Sequence, residues 1–117
     1  MNFIQYTIQR FKYAILGVLY AFRYDRGYRL QAISIGVAMT AIVYFLSPFN
    51  QTEWLFLGLA YALILITELQ NTAFEEALDH LHPELHDKIG RSKDMAGGAV
   101  FLAGLFLIFV LVMIILK

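Results

Sequence analysis

The sequence predicts an all-α integral membrane protein, with three transmembrane helices preceded by one amphipathic helix lying at the bilayer surface. Three observations carry this prediction. Hydrophobic residues fill 60% of the 117 positions, well above the roughly 45–50% of a soluble domain. Charge is sparse, with nine Lys or Arg and nine Asp or Glu. That charge is also clustered, leaving 30–52, 54–67 and 95–116 with none. The pattern excludes a soluble nucleic-acid-binding domain and a disordered chain, and the lack of Cys excludes a disulfide scaffold. No internal repeat is visible, so 1–117 reads as a single domain.

The first element is residues 1–28. Phe3, Ile4, Ile8, Phe11, Ile15, Leu19 and Phe22 recur at three- and four-residue steps, with Gln5, Gln9, Arg10, Lys12 and Arg23 between them. Such a stripe suits a helix at headgroup level rather than one that crosses. The segment is not expected to be a signal peptide, because it has neither an apolar core after its first basic residues nor a small-residue cleavage site. Arg23, Asp25, Arg26, Gly27 and Arg29 are expected to form a polar turn into the first span.

A bilayer core needs about 20 apolar helical residues. Residues 30–49 and 95–116 meet this directly. The middle span, 54–78, meets it only if its helix runs on through Glu68 towards Glu75, which takes a carboxylate into the membrane boundary. An acid at such a position is costly and marks a functional site by default.

Orientation follows from basic residues beside the spans. Five Lys or Arg lie in 1–29, three in 77–94 and none in 47–53. The N-terminus and the 77–94 loop are therefore expected on the cytoplasmic side of the membrane, with the Pro48 turn outside. Lys117, expected outside, runs against that rule.

From Glu68 the chain reads E-L-Q-N-T-A-F-E-E-A-L-D. At 100° per residue Glu68, Glu75 and Asp79 fall within about 40° of one another, and Asn71 lies about 60° to one side. Glu76 points elsewhere. Like charges at this spacing repel, so a divalent cation, several basic side chains or protonation must relieve them. His80, His82 and His86 lack a shared helical register because Pro83 interrupts it, and they read as surface histidines. Pro83 itself suits the first position of a short helix or turn starting near His82. Arg91 and Lys93 fit the positive-inside rule, whereas Asp94 at the same border does not. Ala96, Gly97, Gly98, Ala99, Ala103 and Gly104 suit close helix packing in lipid. Neither a G-x-x-x-x-G-K-[ST] nor a G-x-G-x-x-G phosphate loop is present.

The string E-L-Q-N-T-A-F-E-E at 68–76, followed by G-R-S-K-D-M-A-G-G-A-V at 90–100, resembles the prokaryotic diacylglycerol kinase family, which includes undecaprenol kinases. The shared pattern is E-x-x-N-[ST]-A-x-E, a spacer of about 17 residues, then K-D. The resemblance implies ATP-dependent phosphorylation of a lipid alcohol, Mg²⁺ dependence, and a homotrimer with active sites shared between protomers. It also implies roles for individual residues. Glu68 is the general base on the lipid hydroxyl, with Asn71 beside it. Glu75 binds the metal that bridges the phosphates. Lys93 lies on the phosphates, and Asp94 and Asp79 near the nucleotide, with Tyr13 and His86 as further nucleotide-proximal side chains. The family's second metal carboxylate, a Glu, aligns with Asp25, one methylene shorter. Arg29 falls on a position that is commonly basic, whereas Leu16 and Leu19 are apolar where relatives often carry Arg or Lys.

The expected activity is thus conversion of diacylglycerol to phosphatidic acid, with undecaprenol as the alternative acceptor. Phosphoryl transfer needs charge neutralisation and in-line positioning more than covalent help. The acidic face together with Lys93 offers both. Intramembrane acids also mark ion pathways, so the residues alone equally admit a non-catalytic small oligomeric membrane protein.

Overall fold

The computed structural model describes residues 1–84 and 86–117, and among these all regular structure is helical. Four helices follow in order: α1 Phe3–Tyr24, α2 Arg26–Leu46, α3 Gln51–Leu81 and α4 Asp87–Ile115. The last three are long and apolar enough to cross a membrane. Helix α3 continues unbroken past Glu68, as its role as a span requires.

Asn2 starts α1 through a capping box, accepting from the Gln5 N–H at 2.8 Å while the Gln5 side chain accepts from the Asn2 N–H. This satisfies two of the N–H groups that every helix start leaves orphaned. Within the chain α1 buries only Ala21, and Phe3, Ile8 and Phe11 are exposed. Its apolar stripe has no partner in its own chain. The molecule measures 48 × 43 × 22 Å, and the second extent exceeds what three helices spaced about 8–10 Å apart reach. Helix α1 therefore leaves the bundle at an angle.

The expected polar turn at 23–29 is not formed. A single residue, Asp25, separates α1 from α2, and Arg26, Gly27 and Arg29 are already helical. The break is compact because Asp25 caps both helices. Its N–H donates to the Ala21 carbonyl and its Oδ1 accepts from the Tyr28 N–H at 2.7 Å. Arg29 strengthens the joint, its guanidinium donating to the Phe22 and Arg23 carbonyls at 3.2 and 2.8 Å. Those are end-of-helix acceptors with no partner of their own.

Helices α3 and α4 make the core. Leu57, Ala60 and Ile64 meet Ala103, Leu107, Val110 and Ile114, and Ile35, Met39 and Ile42 of α2 pack against the same cluster. The three- and four-residue spacing on both helices is that of near-antiparallel knobs-into-holes packing. In lipid, apolar surface gains little by moving from tails to protein, so close contact at small residues has to hold the helices. Ala60 and Ala103 supply it. Gly97, Gly98 and Gly104, expected to serve the same purpose, do not within this chain, since a Cβ added at any of them meets nothing within 4 Å.

At the end formed by the start of α3 and the finish of α4, Lys117 Nζ donates to both oxygens of Glu53 at 2.8 Å. Glu53 Oε1 also accepts from the Asn50 N–H at 3.0 Å, and Asn50 in turn caps the Glu53 N–H. The cation that broke the orientation rule is thus neutralised by a partner. At the other end, the turn after α3 does not begin a helix at Pro83. His82 ends α3, and α4 starts only at Asp87 with His86 as its N-cap, two turns ahead of the apolar stretch.

Candidate active site

The acidic face forms as the spacing predicts. Glu68 and Asn71 are half-buried, whereas Glu75 and Asp79 are exposed, so one ridge of α3 grades from enclosed to open. The Asn71 amide donates to Glu75 Oε1 at 3.4 Å, longer than the usual N–H···O range. Asn71 Oδ1 is enclosed and, among the described residues, unpartnered. A buried acceptor left unpaired costs about 1–3 kcal/mol, so a ligand bringing a donor to this point gains by binding there.

Lys93 reaches back from the first turns of α4 and pairs with Asp79. The contact carries the ammonium onto the acidic ridge. Its side chain keeps 34% exposure and that of Asp79 keeps 62%. An exposed pair of this kind contributes at most about 1 kcal/mol, so Asp79 holds Lys93 loosely enough for another anion to compete.

Asp94, the next residue, faces elsewhere. Together with His86, Asp87, Gly90 and Arg91 it lines a shallow groove of about 490 Å³. The 100° step between consecutive helical residues parts the K-D dipeptide into a ridge-facing cation and a groove-facing acid. His86 is exposed, and its Nδ1 accepts from the Lys88 N–H at 3.2 Å, so this histidine also has a local structural task. Tyr13 stands on α1 with 62% exposure, and no hydrogen bond among the described residues ties it to the ridge. His80 and His82 are exposed too.

Among the described residues no three His, Cys, Asp or Glu side chains form a cluster able to hold a metal ion alone. Mg²⁺ needs no such cluster, since it takes one or two carboxylates and completes its shell with phosphate oxygens and water. Glu75 offers an exposed carboxylate. Asp25, half-buried, has Oδ1 committed to the Tyr28 N–H, which leaves its second oxygen for a cation.

Sequence reasoning missed Tyr28. It is buried, with 6% exposure, and its N–H is held by Asp25 Oδ1. A tyrosine at the start of a span reads as an ordinary interfacial aromatic, which conceals that its ring turns inward. Only the closeness of α2 to α3 reveals it.

The chain is similar to known proteins. The profile of a family described as prokaryotic diacylglycerol kinase matches residues 12–115. A diacylglycerol kinase of Haemophilus influenzae is 26% identical over 100 residues, covering 86% of this chain and 83% of that protein. A diacylglycerol kinase of Synechocystis sp. is 34% identical over 96 residues, covering 81% of this chain and 54% of that protein, so the alignment spans about half of that relative. The match embraces α2, α3, α4 and most of α1, with the acidic ridge and the K-D pair inside it, and the chain belongs to the prokaryotic diacylglycerol kinase family, a family of membrane lipid kinases.

Proposed function

We propose that this chain transfers the γ-phosphate of ATP to the free hydroxyl of a membrane lipid, with diacylglycerol as acceptor and phosphatidic acid as product. One observation carries the reading: Lys93 of α4 is drawn onto the carboxylate ridge of α3 through Asp79, so phosphate-binding charge and proton-accepting charge share one surface. The diacylglycerol kinases of Haemophilus influenzae and Synechocystis sp. support the choice of lipid. Undecaprenol is the alternative acceptor.

In this reading Glu68 accepts the proton of the lipid hydroxyl as the oxygen attacks the γ-phosphorus in line. A new P–O bond forms to the lipid, the bond to the β-phosphate oxygen breaks, and ADP leaves. Lys93 exchanges Asp79 for the phosphates and neutralises charge there as a compact cation. Asn71 orients the groups beside Glu68, and its free Oδ1 receives a donor from the bound substrates. Glu75 and Asp25 are the residues to hold Mg²⁺, which supplies neutralisation of the phosphate oxygens. Asp94, Tyr13, His86 and Asp79 complete the nucleotide surroundings.

Glu68 lies two turns from Glu75, about 10 Å along the helix, so lipid hydroxyl and nucleotide approach from opposite directions. This orientation puts the N-terminus and the site on the cytoplasmic side of the inner membrane, where ATP is found. Because Lys93 and Asp94 face different sides of α4, a complete nucleotide site needs a neighbouring copy, in keeping with a homotrimer that shares its sites. The exposed apolar flank of α2 and the open positions at Gly97 and Gly98 suit such an assembly.

The test uses purified protein in mixed micelles with labelled ATP, offering diacylglycerol and undecaprenol at equal surface fraction. Phosphatidic acid is the expected main product. Chelation of divalent ions is expected to stop transfer, and added Mg²⁺ to restore it. No labelled product from any lipid alcohol overturns the proposal and favours a non-catalytic membrane protein.

A further inference from the structure

Gly27 stands where a glycine is not expected. It lies in the first turn of α2, two places after Asp25, at an exposed position and without a positive φ. The backbone there asks nothing of glycine, and alanine is the better helix former. One contact sets the position apart. A Cβ placed on Gly27 would lie 3.3 Å from Asp25 Oδ1. Beyond its chain neighbours and its own helix backbone, it would meet nothing else within 4 Å. The missing side chain thus leaves the space into which the Asp25 carboxylate folds.

Capping alone does not demand that space. Asn2 and Asn50 cap α1 and α3 in the same manner, each accepting from the N–H three residues on at 2.8 Å. The residues two places after those caps are Ile4 and Thr52, both branched at Cβ. What distinguishes Asp25 is its second oxygen, which the proposed function gives to Mg²⁺. A methyl group at 27 would oblige the carboxylate to give by a few tenths of an ångström. An N–H···O bond absorbs such a shift, since it serves over about 2.7–3.2 Å. Mg²⁺ does not, because it demands near-ideal octahedral geometry at about 2.0–2.1 Å. We infer that Gly27 is a positioning residue for the metal. By carrying no side chain it lets Asp25 cap α2 with Oδ1 and keep its other oxygen in place for the ion. The inference rests on the reading of Asp25 as a metal ligand and deepens it, naming what sets that ligand's posture.

The test reads ion binding rather than turnover. Mn²⁺ replaces Mg²⁺ as an EPR-visible probe and is titrated into the full chain in mild detergent, with a non-hydrolysable ATP analogue present. Gly27→Ala is expected to weaken Mn²⁺ binding about tenfold, the scale of losing a support that orients a metal ligand. Its denaturant midpoint without metal should stay close to that of the wild type, as the caps beside Ile4 and Thr52 foretell. Asp25→Asn keeps a good capping side chain but loses the charged ligand, and it should weaken Mn²⁺ binding by itself. Adding Gly27→Ala to Asp25→Asn should then change nothing more, because the two act through one carboxylate. Equal weakening in both backgrounds overturns the inference, and so does a Gly27→Ala protein that cannot be recovered folded, since the glycine then serves the fold. Normal binding by Gly27→Ala beside weakened binding by Asp25→Asn overturns this inference alone. Normal binding by Asp25→Asn removes Asp25 from the metal and overturns that reading and this inference together.

Discussion

At one end of the α3–α4 pair Glu53 and Lys117 meet across the core, and each uses up the other. Both carboxylate oxygens are taken, and the Asn50 capping box occupies what remains. At the other end Glu68, Glu75 and Asp79 share a ridge with one ammonium, that of Lys93. There an amide oxygen is enclosed with no partner among the described residues. The same two helices thus carry a satisfied set of polar groups and an unsatisfied one. Where partners are complete, charge has been spent on fixing helix ends, and where they are incomplete, capacity remains for ligands. Counting charges does not distinguish the two ends, but counting their partners does.

The largest effect expected from this contrast comes from Glu68→Gln. Phosphate transfer should fall by about a hundredfold or more, the usual scale for a lost general base, while the protein stays folded and still binds Mg-ATP. Near-normal turnover would remove Glu68 from the chemistry. Lys93→Met should follow, with kcat/KM for ATP down about 10–100-fold, in line with a lost hydrogen bond to a charged group. The steady-state rate against ATP concentration reads it directly, and a normal profile breaks the assignment of Lys93 to the phosphates.

The satisfied end should behave in reverse. Asn50→Ala removes the cap of α3 and should cost about 1 kcal/mol of stability, measured by denaturant titration in mild detergent, with turnover unchanged. Lost turnover at intact stability would erase the distinction between the ends. Asp79→Asn should produce the smallest change in stability, no more than about 1 kcal/mol for an exposed pair. A larger loss would show that the Lys93 contact is structural rather than exchangeable.

Much of this was legible in the sequence, for definite reasons. Charge-free apolar stretches have few alternatives to spanning helices, and the 3.6-residue repeat fixes which acids share a face. The Glu68–Asn71–Glu75–Asp79 ridge needed no tertiary information. The Glu53–Lys117 contact did, because its partners are 64 residues apart and meet only once α3 and α4 have packed. The capping box at Asn50 and Glu53 has a local signature, N-x-x-E ahead of an apolar run. The 23–29 segment misled because its four charged residues and Gly27 resemble a loop, whereas one well-placed side chain sufficed to make the bend. The two faces taken by the K-D pair needed the folded structure, since neighbours in sequence are not neighbours on a helix surface.

The double cap at Asp25 bears on how this lineage can change. Aspartate is among the favoured residues for starting a helix, because its short side chain folds back onto the amides that follow. The glutamate that the family resemblance expects is one methylene longer and suits that posture less well. Asp25→Glu is therefore an exchange of reach for anchorage rather than the repair of a defect. A population drifting between the two would feel selection on the bend after its first helix and, in the proposed reading, on a metal ligand at the same codon.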